Sequence, residues 1–160
     1  MQNNIAVLLP YKDQFIKDNA GSASIWVKDF SKDSKLKKNT TIFGYTSNVS
    51  KTFDNFNYVN LKFSNFGVQS KNLKYVNKFI EVLNRKKFSL IEIHNRPSYI
   101  LHIEKNLPNQ KYILVIHNNP QTLRGAVTPK ERKHLIKLCS KITFVSNWVK
   151  EKFFEGLDIK

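Results

Sequence analysis

Hydrophobic and polar positions along the chain follow two alternating rhythms. Short runs rich in apolar residues alternate with longer segments in which apolar residues recur three or four positions apart. The first rhythm is typical of strands buried on both faces of a sheet, and the second of amphipathic helices. The runs predict strands over 5–9, 41–45, 58–61, 90–93, 112–116 and 142–145. The spaced segments predict helices over 22–30, 71–85, 97–107, 129–139 and 147–154.

Local signals support these helices. Ser70 is a suitable N-cap for the clearest helix, over 71–85, and the sequence Thr-Pro-Lys-Glu at 128–131 predicts a capping box with proline at the first helical position. The stripe that we expect the 71–85 helix to bury consists of Leu73, Val76, Ile80 and Leu83.

The order of strands and helices predicts the fold class. Strands joined by helices form βαβ units, and right-handed crossovers then give a mostly parallel sheet with helices on both faces. We therefore expect an α/β fold, a Rossmann-like three-layer αβα sandwich of about six strands. Since 160 residues is the size of one domain and no repeat or Pro/Gly-rich linker interrupts the pattern, residues 1–160 are expected to form a single domain.

Composition narrows the protein class. Hydrophobic residues make up 41% of the chain and charged residues 24%, which argues against disorder. No apolar run approaches the roughly 20 residues that span a bilayer, and the first residues do not resemble a signal peptide. Cys139, the single cysteine, lies on an apolar rhythm, so we expect a small buried side chain rather than a nucleophile. A lone cysteine fits a reducing compartment, and we expect a cytoplasmic protein.

The net charge suggests an anionic partner. Lys and Arg total 27 against 12 acidic residues, which gives a formal charge of +15. Nucleic acid, an anionic membrane surface or a phosphorylated ligand would suit this excess. The alternative is that lysine is simply abundant in this composition. Only four of the basic residues are arginine, the residue favoured for base-edge and bidentate phosphate contacts, so nucleic acid is the less favoured partner.

A small-residue turn precedes the first predicted helix. Ala20, Gly21 and Ser22 stand where the loop after the first strand ends. A turn of this kind exposes backbone N–H groups to a phosphate or a sugar at a helix N-terminus. It contains a single glycine and so lacks the dinucleotide-binding fingerprint, and plain turn chemistry is the alternative interpretation.

Two histidines directly follow predicted strands. His94, Asn95 and Arg96 come after the 90–93 strand, and His117 and Asn118 come after the 112–116 strand. In open α/β sheets ligands bind at the carboxyl ends of the strands, so we expect both histidines to project into one crevice. The alternative is that each imidazole bonds a backbone carbonyl and has a structural role only.

The loop over 118–127 is the candidate substrate-binding segment, because it is long, polar and follows the most apolar strand. It contains Arg124, which together with Arg96 could pair with a phosphate or a carboxylate; a solvated surface position is the alternative for both. The remaining histidines, His102 and His134, are expected on helices at or near the surface.

Missing motifs exclude several enzyme classes. The chain has no phosphate-binding P-loop, no G-x-S-x-G elbow, no H-E-x-x-H pair and no D-x-D, so we expect neither a metal nor a cofactor. Glu92 lies within a predicted strand, and the other acids fall on helices or loops. Paired carboxylates acting as general acid and base are therefore not expected.

Taken in order, four segments resemble the N-terminal half of retaining GT-B glycosyltransferases, the family-4-like or group 1 glycosyl transferases. They are the first strand with its small-residue loop, LIEIHNRP, YILVIHNNP and ITFVSNWVKEKFFEGL. The resemblance implies that such a domain mainly receives the acceptor, while a second Rossmann-like domain holds the nucleotide-sugar donor. It also implies that Gly21, with Ala20 where the family usually has a first glycine, approaches the donor diphosphate. His117 matches the residue that contacts the transferred sugar and the reacting centre, and His94 matches a less uniform position.

The resemblance gives the functional hypothesis. The chain is expected to be the acceptor-side half of a hexosyltransferase that moves a sugar, with retention, from a nucleotide sugar to a glycan or lipid-linked acceptor. The leaving diphosphate would assist on the same face, and the donor-binding C-terminal domain would be absent, so the chain alone should not turn over. His117 is the expected catalytic residue. The expected binding residues are Ala20, Gly21, Ser22, His94, Asn95, Arg96, Asn118 and Arg124.

The remaining expectations concern partners and setting. Such an enzyme would act in cell-envelope polysaccharide biosynthesis, with its basic surface on the inner face of an anionic membrane. The competing hypothesis is a basic, non-catalytic Rossmann-like module that binds nucleic acid or a protein partner and in which the strand-end histidines are structural.

Overall fold

The computed structural model describes residues 4–64 and 66–158. Within that range the strands are β1 (Ile5–Leu8), β2 (Thr40–Gly44), β3 (Tyr58–Asn60), β4 (Leu90–His94), β5 (Tyr112–Ile116) and β6 (Cys139–Phe144). The helices are α1 (Ser22–Lys32), α2 (Lys71–Arg85), α3 (Pro97–Asn106), α4 (Pro129–Leu138) and α5 (Asn147–Phe154). The predicted order of elements is confirmed, and only the start of β6 differs from its predicted position by as much as three residues.

The predicted fold class is also confirmed. The strands form a parallel sheet in the order β3-β2-β1-β4-β5-β6, flanked by helices, which is a Rossmann-like α/β arrangement. The chain divides between Ser89 and Leu90 into two compact units. Unit 1 carries β1 to β3 with α1 and α2, and unit 2 carries β4 to β6 with α3, α4 and α5. A single domain over 1–160 stays a prediction.

The core of unit 1 includes two residues from a segment that the sequence indicated only as a polar loop. Phe15 is fully buried and Ile16 nearly so. The ring of Phe15 packs edge-on against Phe53 at a centroid distance of 4.9 Å and stacks on Tyr58 at 5.6 Å. Ile16 forms an isolated antiparallel bridge with Thr52. Single apolar residues in a polar segment have no periodicity, so the hydrophobic pattern does not reveal them.

Helix α2 buries Val76 and Ile80 of the predicted stripe together with two aromatic residues that the stripe did not include. The hydroxyl of Ser70 accepts the N–H of Leu73 at 3.3 Å, which confirms the predicted N-cap. The buried residues of the helix are Tyr75, Val76, Phe79 and Ile80. Leu73 and Leu83, which the predicted stripe included, are only half-buried. The hydroxyl of the buried Tyr75 donates to the carbonyl of Leu9 at 2.9 Å, so the polar tip of this aromatic ring has a hydrogen-bond partner.

In unit 2 the parallel register aligns three strands. Ile93 of β4 lies opposite Leu114 of β5, which in turn lies opposite Ile142 of β6. The pairing of β5 with β6 shifts register at Tyr112, where Cys139 becomes the partner, and this irregularity extends β6 three residues before its predicted start. The predicted capping box at the start of α4 is present.

Candidate functional site

The two histidines that follow strands are neighbours in unit 2. His94 is the last residue of β4, and His117 comes directly after β5. His94 lies opposite Val115 in the parallel register, and because side chains alternate along a strand, His117 is on the same face as His94. The two side chains meet: His94 Nδ1 lies 3.0 Å from His117 Nε2. His94 is fully buried and His117 half-buried.

Glu92 extends this contact by a third titratable side chain. Its Oε1 atom lies 2.8 Å from Nε2 of His94, on the ring edge away from His117. The three residues therefore form a line of hydrogen bonds, Glu92–His94–His117. The sequence places Glu92 within a strand, and Glu92 was not among the expected site residues. Its spacing of two from His94, which puts both side chains on one face, is the signal that reveals it.

Asn95 closes the end of β5. Its backbone is in the left-handed region with φ of 53°, a conformation that asparagine adopts more readily than most residues. Its N–H donates to the carbonyl of Val115 at 2.7 Å, and its side-chain Oδ1 accepts the N–H groups of His117 and Asn118, each at 3.3 Å. Asn95 is nearly buried, so its contacts hold the backbone that carries His117.

The loop after β5 is held at both ends of its polar stretch. The side chain of Asn119 accepts the N–H of Gln121 and caps a short 3-10 helix, Pro120–Thr122. Farther along, the carbonyl of Arg124 accepts the N–H of Ser98 at 3.1 Å. Gly125 follows with φ of 91°, and a Cβ there would lie 2.9 Å from Ser98 N. The loop therefore runs against the start of α3.

The other predicted binding residues of unit 2 are placed less uniformly. Arg96 is half-buried, and its Nη1 atom donates to the carbonyl of Asn95 at 2.9 Å. Asn118 and Arg124 have exposed side chains. The structure therefore brings His94, Asn95 and His117 into direct contact.

Arg132 fastens the end of this loop, and sequence reasoning missed it. The residue is 2% exposed and lies on α4. Its guanidinium donates to the carbonyls of Ala126, Val127, Phe153 and Glu155 at 2.6–3.0 Å. A single planar fork thus ties the loop before α4 to the end of α5.

In unit 1 the predicted phosphate-binding turn already has an acidic partner. The Asp13 carboxylate accepts the N–H of Ala23 at 3.1 Å and the N–H of Ser24 at 3.0 Å. Gly21 is the N-cap of α1, and a Cβ there would lie 2.3 Å from Asp13 Oδ1. Ala20 and Gly21 are half-buried and Ser22 is exposed. The same carboxylate thus supplies the negative charge that a helix N-terminus favours.

Cys139 lies on β6, and the two remaining histidines lie on α3 and α4. Cys139 is half-buried, and burial raises the pKa of its thiol to about 12, so the thiolate that a nucleophile needs is scarce. His134 is exposed on α4. His102 is half-buried on α3, and burial lowers the pKa of its imidazole.

Two lysine-bearing surfaces stand out, one in each unit. On α4, a cavity of about 450 Å³ is lined by Pro129, Lys130, Lys133, His134 and Lys137. In unit 1, Phe66 and Val68 project from the segment before α2 with 92% and 105% of their surface exposed. A cavity of about 470 Å³ beside them is lined by Lys62, Phe63, Ser64, Phe66, Gln69, Lys74, Asn77, Lys78 and Glu81.

The described residues give two further findings. Among them, no group of three or more histidine, cysteine or acidic side chains is arranged to hold a metal ion. Of the helices over 4–64 and 66–158, none is both long enough and apolar enough to cross a membrane. The chain matches no protein-family model, and no curated protein matches it either.

Proposed function

We propose that the chain is the acceptor-side domain of a retaining glycosyltransferase, and that His117 is its catalytic residue. The observation that carries the proposal is the contact of His94 with His117 at the carboxyl ends of β4 and β5. In parallel α/β sheets this edge is where ligands bind. A fully buried imidazole that contacts both an acid and a half-buried second imidazole is also more than a structural histidine requires.

The remaining site residues take supporting roles in this proposal. The exposed Asn118 and Arg124 side chains would contact the acceptor, and Arg96 would contribute charge beside them. Ala20, Gly21 and Ser22 would approach the diphosphate of a nucleotide-sugar donor held by a second domain. Since Asp13 already accepts two N–H groups at that helix start, the diphosphate would use the N–H groups before Ala23.

The engagement of Glu92 by His94 suits a retaining mechanism without a carboxylate nucleophile. Glu92 is an acid in contact with the pair, and its Oε1 atom is engaged by His94. The protein would therefore act mainly by positioning the acceptor and stabilising charge, while the donor's own diphosphate assists on the same face.

Nucleotide-sugar binding to the chain gives one test. Titrating it with UDP-glucose in the presence of a glycan acceptor should shift the imidazole signals of His117 in nuclear magnetic resonance (NMR) spectra and leave those of His134 in place. The chain alone should transfer no sugar. In a protein that joins this chain to a donor-binding domain, His117→Ala should lower transfer by about 10²-fold or more, and the matched His134→Ala variant should not. Robust transfer by the 160 residues alone, or an unchanged rate with His117→Ala, would contradict the proposal.

An anionic membrane is the proposed partner of the unit 1 surface around Phe66 and Val68. Two exposed apolar side chains lie between Lys62 and Lys71. The apolar side chains would insert at the acyl boundary of the membrane, and the lysines would bind its anionic headgroups. The carbonyl of Gly67 accepts a hydrogen bond from Lys74 Nζ at 3.4 Å, which holds the segment with Phe66 and Val68 against α2.

Vesicle sedimentation tests this partner. Binding should rise with the phosphatidylglycerol content of phosphatidylcholine vesicles and fall severalfold when Phe66 and Val68 are both replaced by serine. Phe30→Ser is the matched control, since Phe30 is also an exposed phenylalanine of unit 1. Binding that ignores lipid charge would rule this partner out.

The lysine stripe of α4 favours a second candidate function, a basic module that binds nucleic acid. Lys130, Lys133 and Lys137 share one face with His134 because they recur at helical spacing. If this stripe binds duplex DNA, replacing the three lysines by glutamine should reduce the slope of log affinity against log salt by about 0.9 per lost contact. An unchanged slope would remove this candidate.

A further inference from the structure

The line of hydrogen bonds from Glu92 to His117 has a direction. An ionised carboxylate has only acceptor atoms, so the hydrogen on the 2.8 Å contact must belong to His94 Nε2. A neutral imidazole with a hydrogen on one nitrogen accepts on the other. His94 Nδ1 is then the acceptor, and the hydrogen on the 3.0 Å contact belongs to His117 Nε2.

We propose that Glu92 and His94 are positioning residues that fix the tautomer of His117, so that this ring donates from Nε2 to His94 and accepts at Nδ1. In the proposed function, an accepting Nδ1 suits a hydrogen-bond donor such as a sugar hydroxyl better than an anionic oxygen. The identity of that ligand rests on the proposed function, whereas the tautomer itself does not.

Burial makes this control effective. His94 is fully buried and Glu92 is 21% exposed at its side chain, so solvent offers His94 few competing partners. Asn95 adds a second restraint, since its Oδ1 holds the N–H of His117 at 3.3 Å and limits movement of the backbone beneath the ring. A carboxylate that orients a reactive histidine usually bonds that ring directly, whereas here His94 lies between Glu92 and His117.

NMR of the full chain with ¹⁵N-labelled histidine tests the tautomer directly. At about pH 8, above the usual histidine pKa of about 6.5, one imidazole proton should be covalently attached to His117 Nε2 and show a coupling across the hydrogen bond to His94 Nδ1. A second proton should be attached to His94 Nε2. A proton found on His94 Nδ1 instead, or no coupling between the two rings, would overturn the proposal.

Glu92→Gln tests whether the acid sets this direction. Glutamine has the shape of glutamate but can both donate and accept, so both directions of the line become comparable and the Nε2–H share of His117 should fall about twofold. Glu151→Gln on α5 is the matched control and should leave the share unchanged, because Glu151 is an exposed acid of the same unit. If Glu92→Gln also leaves it unchanged, Glu92 is structural only and the proposal fails.

Ligand addition separates this inference from the proposed function. UDP-glucose with a glycan acceptor should perturb the Nδ1 resonance of His117, and inorganic phosphate alone should not. If the tautomer is as proposed but no sugar perturbs His117, the assignment of the tautomer stands and the glycosyltransferase proposal loses its support. If phosphate perturbs Nδ1 and sugars do not, the preference for a hydroxyl is wrong.

Discussion

Unit 1 and unit 2 both carry polar side chains within or after strands, yet the two units use them differently. In unit 1 the Asp13 carboxylate bonds two backbone N–H groups of α1, and the Asn60 amide exchanges hydrogen bonds with the backbone of Thr46 at 3.0 and 2.8 Å. In unit 2 Glu92 and His94 bond other side chains. A side chain that bonds backbone groups has its hydrogen-bonding atoms occupied, whereas a line of titratable side chains can respond to a ligand. Position after a strand therefore does not identify a site until the partners are known.

The largest effect on the free energy of unfolding is expected at Arg132, whose charged side chain bonds backbone carbonyls of unit 2. Arg132→Met would leave backbone carbonyls, among them those of Ala126 and Phe153, without their donor, and should lower the free energy of unfolding by about 3 kcal/mol or more. Urea denaturation measures this loss. Arg85→Met, at an exposed arginine of α2, should change it by less than about 0.5 kcal/mol. A loss below about 1 kcal/mol for Arg132→Met would show that solvent replaces the guanidinium.

Asn95 contributes a side-chain acceptor for the backbone N–H of His117 and a left-handed backbone conformation. Two substitutions separate these contributions to stability. Asn95→Ala loses the side-chain acceptor and keeps a strained φ of 53°, so it should cost about 2–3 kcal/mol. Asn95→Gly loses the same acceptor without strain and should cost about 1 kcal/mol. Thermal or urea unfolding gives both values. Equal losses would mean that the left-handed backbone contributes nothing.

The sequence was sufficient for the order of elements and the fold class, because strand and helix periodicities are regular over 71–85 and 112–116. It also indicated the two strand-end histidines, since topology alone brings parallel strand ends to one edge. Phe15, Tyr75 and Arg132 escaped prediction for a shared reason. Their burial depends on partners far along the chain: Phe53 for Phe15, the Leu9 carbonyl for Tyr75 and the α5 carbonyls for Arg132.

A smaller effect on the free energy of unfolding is expected at the start of α1 in unit 1, where Asp13 bonds the backbone. Asp13→Ala removes an acidic cap from α1 and should cost about 1 kcal/mol. Gly21→Ala should cost about as much, because its Cβ would meet Asp13 Oδ1 at 2.3 Å and displace the carboxylate. The double variant should then cost little more than either single one, which a double-mutant cycle measures. Additive losses would indicate that the two residues act independently.

Cys139 should show the smallest effect on stability and a clear effect on reactivity. With its thiol pKa raised from 9.0 to about 12, the thiolate fraction at pH 8 is roughly a thousandfold lower. Alkylation by iodoacetamide should therefore be slow in the folded chain and fast in guanidinium chloride. The sign for stability follows: the unfolded thiol ionises first, so this contribution is present below pH 9 and lost as the pH rises toward 12. Rapid alkylation of the folded chain would contradict the burial of this side chain.

The tight approach of Gly125 to Ser98 has a consequence for engineering this protein. A library that diversifies the 118–127 segment to alter ligand preference should leave Gly125 invariant, because any larger residue there would collide with the α3 backbone at 2.9 Å. Asn118, Thr122 and Arg124 have outward side chains and tolerate variation. The segment thus combines one position fixed by close packing with several variable positions. This arrangement lets one scaffold acquire new specificities while its fold stays the same.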